Sequence, residues 1–184
     1  SCGSPTFTNV GLLRKTAGTG AMTVASCVAL SNTGTLELQS GALAVQAPAG
    51  LTSSGHVTAG AGTTFYLAGV TLESGSTFSG TGTLRMNGTT TVTGDLTVPV
   101  PVLLEGTVTG AGKLTLAAAM TWTVGTVSLA GGLEVGAAQT LTVSTSNQHV
   151  LIGPLTNHGT VAWTDGVFYI QSTNAVVNAI DGVW

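Results

Sequence analysis

Charge is scarce in this sequence. Of 184 residues only 6% are charged, against about 25% in an ordinary globular chain. Four residues are Lys or Arg and the formal net charge is −3. Apart from Arg14-Lys15 no basic residues adjoin, so the sequence shows no cationic cluster to hold a phosphate backbone, and no nucleic-acid partner is expected. Aromatic residues make up 5% and prolines number five. No apolar run approaches the ~18 residues that a membrane-spanning helix requires. Helix-forming runs are missing as well, because the one Ala-rich stretch, Leu116 to Met120, is too short to stand as a helix. No signal segment is legible and the chain opens on Ser, so it reads as a processed or excised segment. Cysteine occurs twice, at Cys2 and Cys27. They lie about one repeat apart, and a disulfide between them is the favoured reading, with two free thiols as the alternative.

What is present is Gly, Thr and a hydrophobic fraction of 43%, enough apolar residue to fill a core and exclude a disordered chain. Leu and Val alternate with Thr and Ser, as in "GALAVQA" and "QTLTVST", which is the period of a strand. A nine-residue theme recurs. "FTNVGLLRK" begins at Phe7, "LSNTGTLEL" at Leu30, "LTSSGHVTA" at Leu51, "FSGTGTLRM" at Phe78, "VTGAGKLTL" at Val108 and "LTNHGTVAW" at Leu155. A shortened copy begins at Leu129, and "VVNAIDGVW" from Val176 is a further one. First positions are separated by 23, 21, 27, 30 and 47 residues. A period in the low twenties signals a solenoid, and the alternation makes its units strands.

These features predict an all-β fold, a parallel β-helix (β-solenoid) of roughly eight coils and about 40 Å in length, of the right-handed sense usual for parallel crossovers. Residues 1–184 read as a single domain or a segment of a longer array. An antiparallel sandwich is the competing architecture. The theme reads as a corner. Gly11, Gly34, Gly55, Gly82, Gly112, Gly159 and Gly182 are expected to supply positive φ. Asn9, Asn32, Asn157 and Asn178 are expected to suit the same corner and to stack as an amide ladder. Phe7, Val183 and Trp184 lie at its ends as candidate interface residues, since no capping segment is visible.

Sites of chemistry are harder to find. The acids Glu37, Glu73, Asp95, Glu105, Glu134, Asp165 and Asp181 are dispersed, whereas glycoside cleavage needs two within ~5–10 Å. Glu37, Thr58 and Arg85 share a repeat position and read as one solvated polar stripe. His56 and His158 flank corner glycines and are expected to point into solvent, too far apart for one metal. The pairs Thr33/Thr35, Thr81/Thr83, Thr121/Thr123 and Thr140/Thr142 do not keep one register, which argues against a Thr array facing ice. Trp163 falls on an apolar position and reads as core. Asn87-Gly88-Thr89 is a formal glycosylation acceptor. No catalytic, cofactor or metal residue is predicted.

The "F-T-N-x-G" to "L-T-N-x-G-T-V" copies and the "Gly-x-Leu-x-Val" strands resemble the repeats of large bacterial extracellular β-helix proteins, such as autotransporter passengers and surface adhesins. That resemblance implies a cell-surface or extracellular setting and a structural or adhesive role without catalytic residues. The expected function is a building block that associates end to end with itself into a fibre or stalk. An adhesin or glycan-binding module using a side face is the alternative, and a polysaccharide-cleaving enzyme comes third.

Overall fold

The computed structural model describes residues 3, 5–46, 50–171 and 176–184. The described residues hold 26 strands and no helix. All named strand pairings are parallel, and the chain is a β-solenoid of about eight turns. Each coil contributes three strands. In the first they are β1 (Thr6–Asn9), β2 (Leu12–Lys15) and β3 (Ala21–Val24). Stacking builds a prism with three faces. The first face, starting from β1, is one nine-stranded sheet and the third, starting from β3, is one eight-stranded sheet. The second face, starting from β2, is made of a four-stranded sheet followed by a five-stranded one. The change falls between the neighbouring strands Thr77–Gly80 and Leu96–Val98.

Strand alternation places one set of side chains inside the prism and the other outside. The burial pattern repeats intermediate-buried-intermediate-buried in strands such as Thr35–Leu38, Thr64–Leu67 and Thr140–Val143. Leu84, Val102, Met120 and Leu141 lie over one another in successive coils and are at most 3% exposed. Each such fully buried side chain contributes roughly 1.5–3 kcal/mol. Trp122 is fully enclosed.

The nine-residue theme marks corners, but not a single corner. The copies at Phe7, Leu30 and Leu51 turn from the first face to the second. The copy at Phe78 turns from the second to the third. Those at Val108 and Leu129 return to the first corner, and Leu155 again uses the second. The sequence spacings of 27 and 30 therefore join unlike corners. In-register partners give the actual coil, which varies from 18 residues (Thr90 with Val108) to 24 (Val127 with Leu151).

The reason for the corner glycines also differs from the expectation. Among the described residues none of Gly11, Gly34, Gly55, Gly82, Gly112, Gly159 and Gly182 has positive φ. They are required by the approach of the coil below. A Cβ on Gly55 would lie 2.2 Å from the carbonyl oxygen of Gly34, and one on Gly34 would lie 2.2 Å from that of Gly11. At Gly11, in the first coil, an added Cβ meets nothing within 4 Å. Positive φ occurs at other positions, such as Gly110 (φ 128°). The asparagines likewise do not use the left-handed region.

Candidate functional site

Three features distinguish this prism, namely its corner ladders, its ends and its first face. At the first corner Asn9 is turned inward, and its Nδ2 donates to Asn32 Oδ1 at 2.7 Å and to the Thr35 carbonyl at 2.9 Å. Asn32 Nδ2 then donates to Ser53 Oγ at 3.1 Å. At the second corner, near the other end, Asn157 Nδ2 donates to Asn178 Oδ1 at 2.7 Å and to the Val183 carbonyl at 2.8 Å. Asn32, Ser53 and Asn157 are fully buried, so each must be hydrogen-bonded to avoid a penalty of about 1–3 kcal/mol. A bond to a neighbouring coil supplies that partner, from Asn32 and Asn157 to the coil above and to Ser53 from the coil below, and this fixes the register between coils.

At the end formed by the first coil, Phe7 is 47% exposed and Leu13, Met22 and Val24 are half-buried. Together with Val28 they line a hollow of about 350 Å³. At the far end, Trp163, Ile170, Val183 and Trp184 are 46–59% exposed. There the aromatic rings gather. Phe168 packs edge-on against buried Trp122 at 5.7 Å, and it also contacts Trp163 at 6.3 Å and Trp184 at 6.0 Å. Trp163 corrects the expectation of a core residue. It aligns with buried Val143, but no described coil covers it, and its Nε1 donates to the carbonyls of Asp165 and Gly166. Val183 pairs with Thr160 by a single bridge.

Three pairs of charged residues bind adjacent coils together on the second and third faces. Arg14 meets Glu37 at 2.7 Å, Lys113 meets Glu134 at 2.8 Å, and Arg85 meets Glu105 at 2.5 Å. Arg85 also lies over the Tyr66 ring, 5.2 Å from its centroid. Glu37 and Thr58 share the second face, whereas Arg85 lies on the third beside Tyr66, so the expected single stripe of Glu37, Thr58 and Arg85 is divided between faces. Hydrogen bonds from Gln39 and Arg14 hold the Glu37 carboxyl below its ordinary range. Glu105 pushes Arg85 up, and Glu134 does the same to Lys113.

The histidines are engaged with protein. His56 does not project freely, because its two ring nitrogens meet Thr77 Oγ1 and Ser79 Oγ in the next coil, each at 2.8 Å. His158 Nδ1 lies 3.0 Å from Asp181 Oδ1 at the surface. His149 is fully buried with Nε2 3.0 Å from the Ser144 carbonyl, and its ring stands edge-on to Trp122 at 5.6 Å. Its burial was invisible in the sequence because it lies outside the theme. Among the described residues no three His, Cys, Asp or Glu side chains gather as a metal site. Cys27 is disulfide-bonded, and Cys2, its expected partner, lies outside the described residues.

The first face was missed by the sequence reading. Thr8, Ser31, Thr52, Thr71, Thr91, Thr109 and Ser128 occupy one outward position in seven consecutive coils. A second column adds Thr89, Thr107 and Thr126 in the fifth to seventh coils, and Thr6 in the first. The pairs Thr33/Thr35, Thr81/Thr83, Thr121/Thr123 and Thr140/Thr142 lie outside this array. Thr140/Thr142 stands on the third face, and the others straddle corners.

The fold and its corner ladders define a three-faced parallel β-solenoid repeat protein. Compared with protein-family models, curated proteins and solved structures, the chain matches none significantly.

Proposed function

We propose that this chain is a non-enzymatic structural protein of the cell surface or extracellular space. In this reading it is a solenoid block that associates end to end into a fibre or stalk. The observation that carries the reading is the state of the two terminal coils. Inward positions that are sealed everywhere else stand open there, beside strand edges able to pair with a further strand. The two ends are also unlike. One is an apolar hollow framed by Phe7 and Met22, and the other is a ridge of Trp163, Phe168 and Trp184. Contact between unlike ends is heterologous and propagates when it does not close into a ring. Disulfide-bonded Cys27 suits an oxidising compartment. The surface-adhesin class suggested by the repeats remains part of this proposal. A glycan-binding side face has less support. Trp122 is buried, Tyr66 lies beneath Arg85, Trp163 and Trp184 belong to an end, and Tyr169 stands alone in the last strand of the first face.

Sedimentation velocity across a dilution series tests the reading. The 184-residue chain is expected to form concentration-dependent chains of units, and Phe7→Asp or Trp184→Asp to leave single units of unchanged circular dichroism. A wild-type chain that sediments as one unit at every concentration contradicts the proposal.

A further inference from the structure

We propose that the first face is a binding surface for water in its ordered, crystalline form, so that the solenoid adsorbs to ice along this side. The inference does not depend on end-to-end association. It starts from how far free hydroxyl groups run in one line. Part of the second face has its hydroxyls consumed by the protein, with Thr77 and Ser79 held by His56, and Thr58 bonded to Ser79 at 3.2 Å. Thr97 and Thr115 on the same face stay unpartnered among the described residues, but Thr115 adjoins Glu134 in the next coil. At the corners hydroxyls cap carbonyls of the coil below, as Thr123 does to Leu104 at 3.1 Å and Thr164 to Val143 at 3.1 Å. What sets the column from Thr8 to Ser128 apart is its length, since in seven consecutive coils no hydroxyl has a protein partner among the described residues. Unpartnered outward Thr on the other faces come in pairs such as Thr64 and Thr83. Each such group retains one donor and two acceptor positions for solvent.

The column is also periodic. Parallel strands place its members ~4.8 Å apart along the prism, and the second column lies two residues away, ~6.6 Å across. Both distances are comparable to oxygen repeats in hexagonal ice. The column spans seven coils, so it runs for about 30 Å. Thr is stiff at χ1, and the sheet beneath fixes its backbone, so these hydroxyls hold their spacing without a further loss of freedom on binding. Nothing within the array competes. Its outward positions from Thr6 to Ser128 carry no charged or aromatic residue, whereas the other two faces carry Glu37, Glu134, Arg85 and Tyr66. A charged group would impose its own hydration shell on the lattice. The one outward aromatic of this face, Tyr169, lies two coils beyond Ser128. The absence of a ring within the array disfavours a sugar ligand, because stacking on aromatic faces is the ordinary apolar contact for a pyranose. The array ends where Ile152 and Val150 follow Ser128 and Thr126.

The test compares Thr71→Lys/Thr91→Lys with the control pair Thr97→Lys/Thr115→Lys, which places the same charges on the second face. All chains carry a fluorescent label and are first shown by circular dichroism to melt alike. Partition into a slowly grown ice front is measured, together with binding to microcrystalline cellulose. The wild type and the control pair are expected to enrich in ice, and the first-face pair to lose enrichment at least tenfold. Exclusion of the wild type from ice overturns the proposal. So does equal enrichment of both pairs, or retention on cellulose but not on ice, which would assign the face to a polysaccharide.

Discussion

Phe7, Leu30 and Ile170 occupy the same inward column of the first face, yet their exposures are 47%, 1% and 49%. They share a face and a strand setting. They differ in whether a described coil lies on both sides. A coil of this protein therefore does not bury its own apolar residues, and each is sealed by its neighbours. Stability is then a sum over interfaces between coils, and the same surfaces that join coils inside the molecule are displayed at its ends.

The largest expected effect comes from blocking one interior approach. Gly55→Val thrusts a side chain into the Gly34 carbonyl and is expected to cost more than ~4 kcal/mol, the exceptional class of substitution. Gly11→Val carries the same change at the first coil, where nothing lies within 4 Å, and its expected effect is within ~0.5 kcal/mol. Urea denaturation of the two variants decides the matter, and equal destabilisation would break the comparison.

Next comes the enclosed core. Trp122→Ala is expected to cost about 3–5 kcal/mol and Phe7→Ala about 1 kcal/mol or less, read from the same denaturation midpoints. A smaller effect has the opposite sign. Thr90 stands inward between Val70 and Val108 with its hydroxyl buried and without a partner. Thr90→Val removes that group and is expected to raise stability by about 1 kcal/mol, measured by thermal melting.

The smallest effect is electrostatic. The Glu37 carboxyl is held below its ordinary range by Gln39 and Arg14, so its contribution is complete above the unfolded value of about 4.3. It is lost as pH falls through the lower folded value. The difference in urea midpoint between wild type and Glu37→Gln should therefore be present at neutral pH and vanish in strong acid.

Much of the fold was legible in the letters because strand alternation and a recurring corner are local signals. The coil count followed from them, since the mean period is close to the true coil length. The placement of corners was not legible. Small residue, variable residue and Gly satisfy any corner at which two coils approach closely, so the theme at Phe78 and the theme at Leu30 look alike while turning between different faces. That ambiguity hid the hydroxyl array, since Thr52 and Thr71 are 19 residues apart and Thr91 and Thr109 are 18 apart. It also placed Arg85 on the wrong face. The role of Gly was misread for a related reason. Positive φ is a property of one residue, whereas the clash that excludes Cβ at Gly55 depends on a carbonyl 21 positions earlier in the chain.

The central claim is that an exposed terminal coil is an incomplete interface between coils. Electron microscopy of the purified 184-residue chain, diluted in steps at neutral pH, tests it most directly. The account predicts filaments with an axial repeat near 40 Å, absent in Phe7→Asp. Discrete particles of the wild type at every dilution would contradict it.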